Sequence, residues 1–173
     1  MLELRAASLV DTNAIAAAVA VLCRPGDLVV LAGEMGAGKT AFAKGFGAAL
    51  GVTEPITSPT FTLVHTYDLP PGNGTGAAAL HHADLYRLDR TAEVADLALD
   101  ELAENAGIVL VEWGDVVDSL FGDHLMVHLE PDVEPDVDDD PMDGSRWIAL
   151  SASGPSWASR WSRLVDACEA YRC

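Results

Sequence analysis

The chain has 173 residues, half of them hydrophobic, with 27 acidic and 10 basic side chains and a formal net charge of −17. That size suits one compact α/β domain with a single core, and no apolar run approaches the roughly 18 residues needed to span a bilayer. The three cysteines (Cys23, Cys168, Cys173) have no metal or disulfide spacing, and the scarce basic residues argue against direct gripping of a nucleic-acid backbone. No basic n-region or cleavage context marks a signal peptide, so a cytoplasmic protein with no membrane segment is expected.

Leu2 to Ala7 reads as a short strand. Ser8-Leu9-Val10-Asp11 has the form of a capping box, and an Ala-rich helix follows to about Cys23. Arg24-Pro25-Gly26 ends it. Asp27 to Ala32 is continuous and β-branched, as expected of a strand buried on both faces. A Gly-rich turn comes next, then a helix from about Lys39 to Leu50 closed by Gly51. Ile56 to Leu69 begins as a loop around Pro59 and continues as a strand over Thr62–Tyr67. His81 to Tyr86 is expected to pair with it as a hairpin across a Gly/Pro-rich turn. Glu93 to Asn105 reads as a helix and Gly107 to Trp113 as a second buried parallel strand. Leu125–Leu129 and Trp147–Ser151 read as late strands, and Pro155–Tyr171 as one amphipathic helix. Glu130 to Asp143 carries eight acidic residues, three prolines and no basic residue. It reads as a solvated loop or as a docking or regulatory segment.

Gly33-Glu34-Met35-Gly36-Ala37-Gly38-Lys39-Thr40 fits the phosphate-loop pattern G-x-x-x-x-G-K-[ST] between a buried strand and a helix. The glycines let the backbone curl so that successive N–H groups meet phosphate oxygens. The helix beginning near Lys39 adds the positive end of its dipole. Lys39 is expected to reach the β- and γ-phosphates, and the Thr40 hydroxyl to ligate Mg2+. Ile108 to Glu112 is four apolar β-formers ending in a carboxylate, the way a Walker-B acid is presented; Glu112 is therefore a metal ligand, direct or through water. Asp84 stands in a strand, where Asp is disfavoured. It serves either an ion pair with Arg87 or Arg90, or the orientation of the attacking water or the metal's hydration shell. Thr60, in Ser58-Pro59-Thr60-Phe61-Thr62, is placed to sense the γ-phosphate and Mg2+; the alternative is hydroxyls satisfying a turn. Trp113 either flanks the nucleotide or belongs to the core. His65, His81 and His82 fit no metal spacing and are left outside the site, and Lys44 is read as solvated.

These blocks, in this order, resemble the bacterial TsaE (YjeE) family, the P-loop ATPase of tRNA threonylcarbamoyladenosine biosynthesis. The resemblance is carried by Leu31–Thr40, by Thr57-Ser58-Pro59-Thr60-Phe61-Thr62-Leu63-Val64, by His82-Ala83-Asp84-Leu85-Tyr86-Arg87-Leu88 and by Leu110-Val111-Glu112-Trp113. It covers about half the chain. It implies a P-loop NTPase fold, a single three-layer domain over residues 1–173 with a mixed, mainly parallel central sheet. It implies ATP and Mg2+ held by Lys39, Thr40 and Glu112, with Asp84 and Thr60 in the catalytic surroundings. It also implies TsaD-like and TsaB-like partner subunits, with tRNA touched only indirectly, and an ATPase that is weak alone and resets its partners. The acidic stretch 130–143 and Glu34, where the family often has Asp, depart from the pattern.

Two other readings compete. A small-molecule kinase on the same fold needs lid arginines to compensate transition-state charge, yet only Arg87 and Arg90 lie between Lys44 and Arg146. A nucleotide-dependent interaction module would seldom hydrolyse. The absence of an Asn-Lys-x-Asp motif favours adenine over guanine.

Overall fold

The computed structural model describes residues 1–59, 63–86, 98–113, 121–132 and 144–173. Seven strands form one sheet: β1 (Leu2–Ala6), β2 (Leu28–Ala32), β3 (Val64–Asp68), β4 (Ala79–Asp84), β5 (Gly107–Glu112), β6 (His124–Pro131) and β7 (Arg146–Ser153). Their order across the sheet is β1-β7-β6-β2-β5-β4-β3. The central neighbours β6-β2, β2-β5 and β5-β4 are parallel, and the three outer pairings are antiparallel. The expected mixed sheet with a parallel centre is what forms.

The two central strands explain the continuous apolar runs. Every residue of β2 and β5 is buried, and the pleat sends alternate side chains to opposite faces. Val29 and Leu31 join the larger cluster with Ile15, Val19, Phe42 and Phe46 of helices α1 (Leu9–Ala20) and α2 (Lys39–Ala49). Leu28 and Val30 join the smaller cluster on the other face, beneath Leu99 and Ala103 of α3 (Leu99–Glu104). Helices thus cover both faces of the parallel centre, as a two-sided apolar strand requires. The cap of α1 is as expected: Ser8 Oγ accepts from the Asp11 amide at 3.2 Å, and Asp11 Oδ2 accepts from the Ala7 amide.

Some boundaries differ from the sequence expectation. Of the strand expected over Thr62–Tyr67, Thr62 lies outside the described residues, and β3 starts at Val64, after Leu63 with its left-handed φ of +64°. The described part of the helix expected over 93–105 is α3, which starts after Ala98, itself at φ +48°; residues 93–97 lie outside the described residues. β6 runs on to Pro131, because its ladder with β7 continues through Glu130↔Trp147 and Pro131↔Arg146. The first residues of the acidic stretch are therefore sheet, and Asp132 is tied to Arg5 Nε (2.7 Å) and Trp147 Nε1 (3.0 Å). Positions 133–143 lie outside the described residues.

The terminal segment is not one helix. Turns precede α4 (Trp161–Ala167), and a 3-10 turn over Glu169–Tyr171 follows it. The cause is Arg160, only 2% exposed. Its guanidinium pairs with Asp27, donates to the Leu22 and Ser156 carbonyls, and stacks 4.1 Å over the Trp157 ring. A buried charge needs that full set of partners, and supplying it holds the Ser156–Arg160 backbone in turns. Among the described residues no helix is long and apolar enough to cross a membrane.

Candidate nucleotide site

The loop at the end of β2 is shaped by three glycines with positive φ: Gly33 (+132°), Gly36 (+85°) and Gly38 (+103°). At Gly33 space also forbids a side chain, and at Gly38 a side chain would have to displace a neighbour. A Cβ on Gly33 would overlap the Leu129 carbonyl of β6, and one on Gly38 would overlap the Arg146 guanidinium of β7. Gly38 is the N-cap of α2 and contributes no side-chain cap. The first amides of α2 thus keep their donors for something other than a capping side chain, which suits an anion.

A cavity of about 390 Å³ opens over this loop and is lined by Met35, Gly36, Gly38, Lys39, Thr40, Ala41, Ser58, Asp84, Tyr86, Glu112 and Trp113. β4 and β5 run parallel with Asp84 and Glu112 in register, so both carboxylates leave the sheet side by side at its carboxyl end. Glu112 is 3% exposed and Asp84 2%. The Thr40 hydroxyl lies 3.2 and 3.1 Å from the two Glu112 oxygens. Asp84 accepts from Ser58 Oγ at 2.6 Å and from the Tyr86 amide at 2.9 Å.

Lys39 folds back over its own loop. Its Nζ donates to the Gly33 carbonyl (2.6 Å) and the Glu34 carbonyl (2.8 Å) and sits 3.5 Å from the centre of the Trp113 ring. Trp113 reaches that position through a left-handed φ of +63°, with its amide bonded to the Leu31 carbonyl. Its ring also packs against Tyr86 at a tilt of 47°, centroids 4.9 Å apart. The ring therefore walls the cavity while its inner edge packs on the smaller core cluster. Of the remaining loop positions, Glu34 and Met35 are exposed and Ala37 is buried. Lys44 is exposed, as expected. Thr60, and the Arg87 and Arg90 considered as partners of Asp84, lie outside the described residues.

Three contributions escaped the sequence reading. His82, left outside the site for want of metal spacing, is fully buried with Nε2 2.9 Å from Glu112 Oε1. Its signal was its spacing: two residues before Asp84 on one strand, it shares that residue's face. Ser58, read within the Ser58–Thr62 switch segment but given no contact to Asp84, bonds that carboxylate. Arg146 arrives from β7 and donates from Nη1 to the Ala37 carbonyl at 2.8 Å, a contact that nothing local to either residue announces.

The arrangement fits a phosphate-bound magnesium ion. Among the described residues no three His, Cys, Asp or Glu side chains converge as a self-sufficient metal cage. A magnesium ion that keeps waters and borrows phosphate oxygens needs only one or two carboxylates and a hydroxyl; the Glu112 carboxylate and the Thr40 hydroxyl could supply them, with Asp84 beside them at the sheet end.

Comparison with known proteins places this geometry in a lineage. The family model described as threonylcarbamoyl adenosine biosynthesis protein TsaE matches residues 6–137. A Bacillus subtilis protein named tRNA threonylcarbamoyladenosine biosynthesis protein TsaE is 42% identical over 108 residues, which is 62% of this chain and 63% of that one. The protein of the same name from Streptomyces coelicolor is 38% identical over 143 residues, covering 82% of this chain and 90% of its own. The crystal structure of YdiB from Bacillus superposes with a TM-score of 0.70 at 29% identity, over 98% of this chain and 94% of that one. With the loop, the paired strand-end carboxylates and these matches in agreement, the chain belongs to the TsaE family and has its P-loop fold.

Proposed function

We propose that this chain is a Mg2+-dependent ATPase, one P-loop domain over residues 1–173, that supports the synthesis of N6-threonylcarbamoyladenosine in tRNA. The observation that carries the proposal is the convergence of Lys39, Thr40, Asp84 and Glu112 on one cavity above a loop of positive-φ glycines. The loop from Gly33 through Glu34, Met35, Gly36, Ala37 and Gly38 wraps the phosphates with its amides. Lys39 exchanges its two carbonyl partners for phosphate oxygens, and Trp113 flanks the nucleotide. Magnesium, when bound with ATP, neutralises the phosphate charge that develops on transfer; Thr40 and Glu112 are the residues that would hold it. Asp84, anchored by Ser58, orients the attacking water or the hydration shell, and Thr60 senses the γ-phosphate.

The chain's few arginines leave transition-state charge undercompensated, so hydrolysis by the isolated chain is slow and a partner completes the site. TsaD-like and TsaB-like subunits are the partners proposed, with the ATPase resetting them between turnovers and tRNA met only through them. The cytoplasm is the compartment proposed, consistent with three free cysteines. The deciding experiment measures phosphate release with and without those subunits, for the wild type and for Lys39→Ala and Glu112→Ala. Release that rises with the partners and falls at least a hundredfold in both variants is expected, on the scale of losing one charge-stabilising group. Stoichiometric phosphoryl transfer to a small acceptor would establish the kinase reading instead. Full partner function in both variants would leave an interaction module.

A further inference from the structure

Glu112 is held from two directions. Thr40 approaches both of its oxygens from α2, and His82 Nε2 approaches Oε1 from β4 at 2.9 Å. Among the described residues Oε2 has Thr40 as its hydrogen-bond partner and nothing else. The imidazole is fully buried, and its second nitrogen, Nδ1, is buried with no hydrogen-bond partner among the described residues. A ring needed only to fill space would be better replaced by an apolar side chain, since an unpaired buried nitrogen costs free energy. A carboxylate oxygen accepts, so the Nε2–H of the ring is the donor in this contact. The ring is therefore committed, through one nitrogen, to one oxygen of Glu112.

We propose that His82 is a positioning residue. By fixing Oε1 it stops rotation of the Glu112 carboxylate and leaves Oε2, beside the Thr40 hydroxyl, as the oxygen offered to a divalent cation. It thereby sets the cation affinity of the site without touching cation or nucleotide. The proposal rests on the reading of Glu112 as the metal-side carboxylate. Outer hydrogen-bond partners of metal-binding groups control affinity by about 10–100-fold.

The test uses the full chain and its variants His82→Gln, His82→Asn, His82→Leu and Glu112→Gln. Binding of Mn2+ is read by electron paramagnetic resonance in the presence of a non-hydrolysable ATP analogue. Affinity for the analogue alone, in EDTA, is read by calorimetry. A glutamine amide nitrogen reaches the place of Nε2, whereas that of asparagine reaches the place of Nδ1. His82→Leu and His82→Asn are expected to weaken Mn2+ binding by about tenfold or more, His82→Gln to recover most of it, and all three to keep the EDTA affinity. Wild-type Mn2+ affinity in His82→Leu, or rescue by asparagine equal to that by glutamine, overturns the proposal. If His82→Leu does not fold, the glutamine–asparagine contrast decides alone. Loss of Mn2+ in Glu112→Gln but not in the His82 variants removes the His82 role and leaves the metal reading standing. Unchanged Mn2+ binding in Glu112→Gln removes both.

Discussion

Replacing Gly38 by alanine tests how the phosphate loop is braced from outside. The backbone there has φ +103°, and an L-residue in the left-handed region costs about 1–2 kcal/mol. The new Cβ would also overlap Arg146 Nη1, with Cζ 2.9 Å and Nε 3.3 Å away. The guanidinium ends a flexible side chain, so it would move and the loop would stay. Moving gives up the bond from Nη1 to the Ala37 carbonyl, and a hydrogen bond from a charged donor is worth about 1.5–3 kcal/mol. Gly38→Ala should therefore lower unfolding free energy by about 2.5–5 kcal/mol in the wild type, the two costs combined. In an Arg146→Ala background only the backbone cost remains, about 1–2 kcal/mol. Urea unfolding followed by circular dichroism on all four chains closes the double-mutant cycle. If Gly38→Ala costs the same with and without Arg146, the guanidinium does not brace the loop and the reasoning fails.

Three further outcomes are expected. Arg160→Met leaves Asp27 buried without its ion pair and should cost about 3–5 kcal/mol. That corresponds to a fall of about 6–20 °C in Tm; a shift below about 2 °C would show the pair to be dispensable. Burial holds the His81 imidazole below its ordinary pKa of 6.5. The unfolded chain then takes up the proton first, so His81's contribution is complete above pH 6.5 and is lost as pH falls below it. Urea midpoints at pH 7.5 and 5.5 should show that loss, and His81→Asn should shrink it. Burial pushes the Cys168 thiol up to about 11 and the Cys23 thiol well above its ordinary value. At pH 8 a disulfide reagent should modify exposed Cys173 alone in the folded chain, and the other two only after denaturation. Rapid reaction of a second thiol in the native state would contradict this burial.

The expectations that agree with the structure rest on short-range physics. The glycines at 33, 36 and 38 announce a loop with positive φ, and all three have it. Ser8 announces a cap, and it caps α1. The apolar runs at Leu28–Ala32 and Gly107–Glu112 announce strands with two buried faces, and both lie at the parallel centre. Where expectations missed, a longer-range demand had overridden local preference. Pro155–Tyr171 has the composition of one helix, but a helix through Arg160 would have to abandon Asp27, 133 residues away in sequence. Glu130 and Pro131 have loop composition, yet the β6–β7 ladder carries them.

The candidate site divides the same way. The order of residues along the chain was enough to name Lys39, Thr40, Asp84 and Glu112, because each sits beside a strand end or helix start whose signal spans a few residues. It was not enough to find what holds them. His82 meets Glu112 across 30 residues and Arg146 meets Ala37 across 109. Both contacts exist because the sheet order seats β4 beside β5, and β7 beside β6 next to β2. A periodic pattern reports which face a residue takes. Which neighbour waits on that face is settled only when the whole sheet is assembled and its core closed around it.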